Sequence, residues 1–502
     1  MAVLTPASPP GPAAAPSGLA KHGWKWAALL ALAGWLLVVG AHHEPWVDES
    51  QAWLIARDSS LASLLAERVR YEGTPGLWHL LLWLAIRCGL PFGQLHLVSV
   101  GCAVAGMALM LWRAPFPAPL RAGLAASYFG AYQFAVVARS YALDLVLLPA
   151  LAHAFARRTD RPLLYGVLLG LLANCNAHSF LLAGVLGAEW AWALLRAGRL
   201  RAGCAGLVVG AALGLGALLT AWQPADNGFL HPEQRPPALF AALHFVAEAF
   251  VDRLAVWRLP SPDGQLLGMG LSIALLVPAL LLARRAALLT LVAALIAVLV
   301  GFSAFTYASA WHSGILFLVW IFALWIAWPA MAASAPLRPV VLASMAIVAL
   351  VQAAEAFESG WWDIHHPYSG SARAADALRG WRADHPQGRL AAAGFMAFAV
   401  QPYFRGNVFA NYQGGAPRPS YIVWTRGAPW HPFEPLREAD KALAGGYDAL
   451  LLSNFAIGPS ALSRFRRSAD ARGYRLAATC PGDTEWKGYL SGDDTLLLFV
   501  RQ

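Results

Sequence analysis

The sequence predicts a polytopic membrane protein, mainly α-helical, with about eleven transmembrane helices, further interfacial or re-entrant helices, and a small C-terminal α/β soluble domain. Three observations carry this expectation. Of 502 residues, 58% are hydrophobic and 13% are charged, against a charged fraction of about 25% in ordinary soluble domains. Apolar runs long enough to cross a hydrocarbon layer of about 30 Å recur through most of the chain. Beyond residue 354 the composition becomes that of a soluble protein. Disorder is excluded, because it needs low hydrophobicity with high net charge. Cys88, Cys102, Cys175, Cys204 and Cys480 form neither a zinc-ligand spacing nor a disulfide framework, since four of them lie in apolar segments.

In chain order, residues 1–23 read as a cytoplasmic leader. The apolar runs follow at 24–41, 95–112, 121–138, 141–156, 162–176, 178–195, 202–222, 266–283, 286–307, 312–330 and 337–354. The first could end like a signal peptide at Val39-Gly40-Ala41, but the long Ala/Pro leader and the later spans predict a retained anchor. Between alternate runs stand Lys21, Lys25, Arg113, Arg121, Arg157, Arg158, Arg161, Arg196, Arg199, Arg201, Arg284, Arg285 and Arg338, with Asp160 the single acid among them. The positive-inside rule puts these turns in the cytoplasm. The net charge of +9 is therefore topological, and no nucleic-acid partner is expected. A shorter run, 75–90, lies between two inward turns that two crossings already connect, so it is expected to re-enter from the outer side.

Three parts then face outward: a first loop at 42–94, a second at 223–265 with the amphipathic stretch Leu239–Leu254, and a domain at 355–502. In that domain the runs Leu390–Phe398, Tyr421–Trp424, Ala449–Leu452 and Thr495–Val500 read as strands. The segments Ala372–Trp381, Pro435–Ala444 and Ser460–Arg472 read as helices. An odd number of spans places the domain across the membrane from the leader.

Chemistry is expected in the first outer loop. Asp48 and Glu49 begin an amphipathic helix, Trp53-Leu54-Ile55-Ala56-Arg57, expected to lie in the membrane interface. Acids at a helix start also serve as caps, and that reading stays open. Glu72 precedes Gly73-Thr74-Pro75 at the mouth of the re-entrant run. Arg139, Tyr141 and Asp144 occupy an outer turn between two spans. Charges at such depth face a cavity or a partner, so Arg139 and Asp144 either line a substrate path or pair with each other. Asn174, Asn176 and His178 crowd another outer turn, and Trp311-His312 marks a further one. No motif names metal ligands or an organic cofactor, which leaves participation of a divalent metal open.

A first span followed by Asp48-Glu49, the Trp53–Arg57 helix, Glu72-Gly73-Thr74-Pro75 and a Leu/Trp-rich helix resembles the GT-C membrane glycosyltransferases. Within them it resembles the branch of protein O-mannosyltransferases and the lipid A aminoarabinose transferase, including uncharacterised bacterial family 39-like members. The resemblance spans about residues 24–330. It departs from the pattern at Thr74-Pro75-Gly76, where relatives commonly carry His-Pro-Pro or Lys-Pro-Pro, and at Trp311-His312, which lacks a neighbouring Arg.

The resemblance implies a bacterial inner-membrane enzyme with its C-terminal domain in the periplasm. It implies a polyprenyl-phosphate-linked sugar donor and a lipid, glycan or protein acceptor. Asp48 would act as base, supported by Glu49. Substrate contacts would come from Glu72, Arg57, Arg139, Tyr141, Asp144, His178 and His312. A single base predicts inversion at the anomeric carbon. Two other readings remain: a transporter or flippase, against which stand the long acidic first loop and the lack of a duplicated half, and a non-catalytic envelope scaffold.

Overall fold

The computed structural model describes residues 18–228, 238–251, 262–306 and 309–502. Most of the expected leader, and the parts of the second loop at 229–237 and 252–261, lie outside the described residues. The rest is mainly helical, with a small strand region near the C-terminus. Among the described residues, seven helices are long and apolar enough to cross a membrane, and five shorter apolar ones accompany them.

Helix α1 (Gly18–His42) leads into α2 (Val47–Asp58). Both faces of α2 are covered: Trp53, Leu54, Ile55 and Ala56 are all buried. The expected interfacial helix is therefore an internal one, enclosed by α3 (Leu77–Arg87) and by C-terminal residues 395–403. At eleven residues, α3 is about 16 Å long, too short to cross. The indole of Trp83 and the guanidinium of Arg87 both donate to the Ser59 carbonyl, fixing α3 beside the end of α2.

After α4 (His96–Arg113), the apolar run expected at 121–138 departs from a regular span. Helix α5 (Ala118–Ala125) stops early, a single wide turn follows at Phe129–Gln133, and the chain then runs irregularly to Arg139. Every residue from Ser127 to Ala138 is buried. Buried non-helical backbone needs partners for its polar groups from within the protein. Here Trp35 Nε1 donates to the Ala131 carbonyl at 3.2 Å, and the Glu49 carboxylate accepts the Ala138 N–H at 2.6 Å.

Next come α6 (Asp144–Phe155), α7 (Pro162–Ala173), α8 (Ala177–Arg196) and α9 (Leu200–Ala221). Helices α7 and α9 touch through glycine: a Cβ on Gly166 would collide with the Gly206 carbonyl, and one on Gly206 with that of Pro162. Such small-residue contacts let backbones approach where apolar burial gives no preference for protein over lipid. Helix α10 (Ala238–Ala249), the described part of the expected amphipathic stretch, packs among α11 (Pro262–Arg285), α12 (Leu289–Phe305) and α13 (Ser313–Ala327). Helix α14 (Arg338–His365) has 28 residues, about 42 Å, and continues well past the expected end at 354.

The C-terminal sheet has the order β1-β2-β6-β3, formed by β1 (Leu390–Ala393), β2 (Ala449–Ser453), β3 (Tyr474–Cys480) and β6 (Leu496–Arg501). β1 and β2 are parallel and the other pairs antiparallel. One face packs on α15 (Ser371–Asp384), the other on α16 (Pro435–Ala444) and α17 (Pro459–Ala471). The small α/β domain is thus present. Tyr421–Trp424, expected as a strand, instead docks on α2, where Gln51 exchanges hydrogen bonds of 2.8 and 2.9 Å with the Ile422 backbone. A separate hairpin, β4 (Asp483–Trp486) with β5 (Tyr489–Asp493), pushes Trp486 against Tyr128.

Cysteine labelling tests sidedness. In a cysteine-free background, Gly445→Cys should react with a membrane-impermeant maleimide in intact spheroplasts, and Ala197→Cys only after permeabilisation. Both positions are exposed. The reverse pattern would overturn the assigned orientation.

Candidate functional site

The turns expected to face outward converge on one cavity of about 410 Å³. Six of the nine residues singled out from sequence line it: Asp48, Glu72, Arg139, Tyr141, His178 and His312. They come from five separate chain segments, so the fold, not local sequence, assembles them.

Asp48 stands in the first turn of α2, and Arg139 leaves the end of the irregular segment that follows α5. Their side chains meet, Arg139 Nη2 to Asp48 Oδ2, at 3.0 Å, and remain 20% and 25% exposed. The guanidinium lies near the rings of Trp311, Tyr141 and Trp46, at 4.9, 5.4 and 5.8 Å from their centroids. Cation–π contacts of this kind hold a planar cation in place. Burial raises the Asp48 carboxyl above the usual carboxylate range, Arg139 opposes the rise, and the neighbouring Glu49 charge adds to it.

Glu72 ends a broken helix over Leu61–Glu72. Gly73, at φ +62°, then turns the chain, and a Cβ there would strike the Gln223 amide. Burial pushes the Glu72 carboxyl up to about 7, although Gln51 Nε2 at 2.9 Å and Trp424 Nε1 at 3.0 Å donate to its Oε1.

On the opposite wall, the Ser309 N–H donates to His312 Nδ1 at 2.6 Å, and His312 Nε2 lies 2.7 Å from the Tyr141 hydroxyl. A backbone amide can only donate, so in the neutral ring the proton sits on Nε2 and is given to the phenol oxygen. The His178 imidazole stacks on His312 with centroids 4.6 Å apart.

The other three candidates stand apart from the cavity. Glu49 is buried and held on all sides. Its Oε1 accepts from Ala138 N, and its Oε2 from Trp46 N at 3.2 Å and His43 Nε2 at 3.0 Å. Arg57 pairs with Asp58 at 2.9 Å and donates to the Phe404 carbonyl and the Ser420 hydroxyl, tying α2 to the C-terminal domain. Asp144 is fully buried and accepts from Asn176 Nδ2 at 2.7 Å and Ser179 Oγ at 2.6 Å. The anticipated Arg139–Asp144 pair is absent from the structure: Arg139 pairs with Asp48, and two neutral donors hold Asp144.

Among the lining residues that were not chosen as site candidates from sequence are Gln51, Phe395 and Trp424. Gln51, one helical turn after Asp48, shares its face and was detectable by spacing. Phe395 and Trp424 belong to the C-terminal domain, more than 300 residues away, and no local signal announces them. Among the described residues, no group of three or more His, Cys, Asp or Glu side chains is placed to hold a metal ion. No known family, curated protein or solved structure matches the chain.

The raised Glu72 carboxyl gives a signed prediction. The folded state keeps a proton that an unfolded carboxyl near 4.5 loses. Its stability contribution is complete below that pH and falls as pH rises through about 7. Glu72→Gln keeps an acceptor for Gln51 and Trp424 without the charge. Its melting temperature should match the wild type at pH 4 and exceed it at pH 8. Equal differences at both values would show that Glu72 does not titrate in this way.

Proposed function

We propose that the protein is a multi-pass membrane glycosyltransferase of the GT-C kind. It would move a sugar from a polyprenyl-phosphate carrier to an acceptor on the outer side of a bacterial inner membrane. Its C-terminal domain would lie in the periplasm, after eleven crossings of which one is unwound. The observation that carries the reading is the Asp48–Arg139 pair on the wall of a cavity formed by the outer turns, with the basic turns at the opposite ends of the helices.

The pair fits a single displacement. An acceptor hydroxyl loses its proton to Asp48 as its oxygen attacks the anomeric carbon. The bond from that carbon to the phosphate oxygen breaks, and its electron pair leaves with the phosphate. The phosphate passes from a monoanionic diester to a dianionic monoester. Protonation of Asp48 discharges the partner of Arg139 at the moment when the leaving group gains charge, so the guanidinium can transfer its hydrogen bonds from carboxylate to phosphate. A raised Asp48 carboxyl makes it a better proton acceptor than an ordinary carboxylate. One base and no covalent intermediate predict inversion. Glu72, with a carboxyl near 7, would serve as a hydrogen-bonding partner for sugar or acceptor hydroxyls.

Purified protein in nanodiscs, given a panel of polyprenyl-phosphate hexoses and pentoses with extracted envelope acceptors, should release free polyprenyl phosphate. Asp48→Asn should lower turnover by about 10²–10⁴-fold with donor binding retained. Turnover should fall in the order wild type, Arg139→Lys, Arg139→Ala, because lysine keeps the charge and loses the bidentate fork. Near-normal turnover in Asp48→Asn would remove the base. Movement of intact donor across the bilayer without release of polyprenyl phosphate would identify a carrier.

A further inference from the structure

Beneath the cavity lies a second charged cluster that the displacement does not use. His43, just after α1, sits between two carboxylates. Its Nδ1 is 2.7 Å from Asp363 Oδ2 and its Nε2 is 3.0 Å from Glu49 Oε2, with all three side chains at most 1% exposed. Asp363 projects from the last turn of α14, which overshoots its expected end, and also accepts from the Tyr132 hydroxyl at 3.2 Å. Burial alone would lower the His43 ring, but Asp363 and Glu49 together lift it to about 10. At neutral pH it is therefore an imidazolium that donates to both acids.

Glu49 is the arm of this cluster that reaches the site. Through its two oxygens it joins His43 and the Trp46 N–H on one side to the Ala138 N–H on the other. The consecutive residues Asp48 and Glu49 thus grip the consecutive residues Arg139 and Ala138. One contact lies in the cavity and the other directly below it. The lower contact is backbone to carboxylate, so it fixes the chain that carries Arg139 and not merely a side chain.

We propose that Glu49 is a positioning residue. Anchored by His43 and Asp363, it sets the distance between Asp48 and Arg139 and holds its carboxyl group beside that of Asp48. The consequence for catalysis rests on the glycosyl-transfer reading, whereas the clamp itself does not.

The groups that act on this cluster come from several elements. Arg139, Glu49 and, across the cavity, Glu72 face Asp48. His43, Glu49 and Asp363 are faced by Tyr132, by Tyr368 tilted against the His43 ring, by His96 on α4, and by Glu44, Tyr403 and Glu485 from the surrounding segments. Glu49 touches both the cluster, at His43, and the backbone of the site, at Ala138.

The test is the titration of Asp48 itself, followed by isotope-edited infrared spectroscopy of ¹³C-carboxyl aspartate in nanodiscs, with Asp48→Asn locating its band. Glu49→Gln can still accept the Ala138 N–H but loses the charge. Its Asp48 band should titrate lower by on the order of 1 pH unit, and in the panel assay the base-dependent limb of turnover should shift the same way. Glu49→Asp keeps the charge but is too short to bridge. It should leave the Asp48 titration closer to the wild type while lowering turnover at saturating donor. An unchanged Asp48 titration in Glu49→Gln would overturn the proposal, whether or not any donor turns over. Failure of the wild type to turn over any donor, with the titration shift present, would leave the clamp standing and remove the glycosyl-transfer reading.

Discussion

A buried stretch of chain that leaves the regular helix must find partners for its backbone inside the protein, and the rest of this site depends on how that requirement is met. Between Ala125 and Arg139 the regular helical ladder is broken, with one wide turn at Phe129–Gln133, and Ala138 donates its N–H to a buried carboxylate, that of Glu49. An unsatisfied amide at such depth costs several kcal/mol, on the order of the stability of a whole domain. The acid therefore cannot be a removable ornament. Because Glu49 follows Asp48, satisfying Ala138 delivers Arg139 to Asp48. Folding and the geometry of the cavity are thus set by the same contact.

The cavity holds opposite charges at close range, partly screened from water. In the resting protein Asp48 and Arg139 neutralise each other at 3.0 Å, which avoids the cost of stranding either one. The lower cluster is balanced differently, with one imidazolium between two carboxylates. The Glu49 arm of that cluster lies beside Asp48 and favours a proton there. The C-terminal domain takes part through Trp424, which donates to Glu72, and through Ile422, which holds Gln51 on the face of α2 that carries Asp48. It forms part of the site and is no appended module.

The apolar runs were legible in the sequence, and so were polar residues gathered at their ends, because apolar length and the spacing of polar groups are local features. Asp48, Glu72, Arg139, Tyr141, His178 and His312 could be picked out as polar groups at the outer ends of those runs. Their pairings could not. Arg139 and Asp144 are near in sequence, yet Asn176 and Ser179 claim Asp144, and a contact across more than 80 residues gives Arg139 to Asp48. The run at 121–138 looked like a span because apolarity reports burial and not helicity. Arg57 and the Trp53–Arg57 segment read as interfacial because nothing local shows that the C-terminal domain covers them. Strand β3 was missed for a similar reason: as an edge strand with mostly exposed residues, it lacks the apolar run that marked its neighbours.

The central claim is that Arg139 exchanges the Asp48 carboxylate for the leaving phosphate. A cryo-electron microscopy structure of the protein with polyprenyl phosphate bound tests it most directly. The account predicts phosphate oxygens within hydrogen-bond distance of the Arg139 guanidinium, its contact with Asp48 lengthened or lost, and Glu49 still on the Ala138 N–H. Phosphate bound elsewhere, with the 3.0 Å Asp48–Arg139 pair intact, would contradict it.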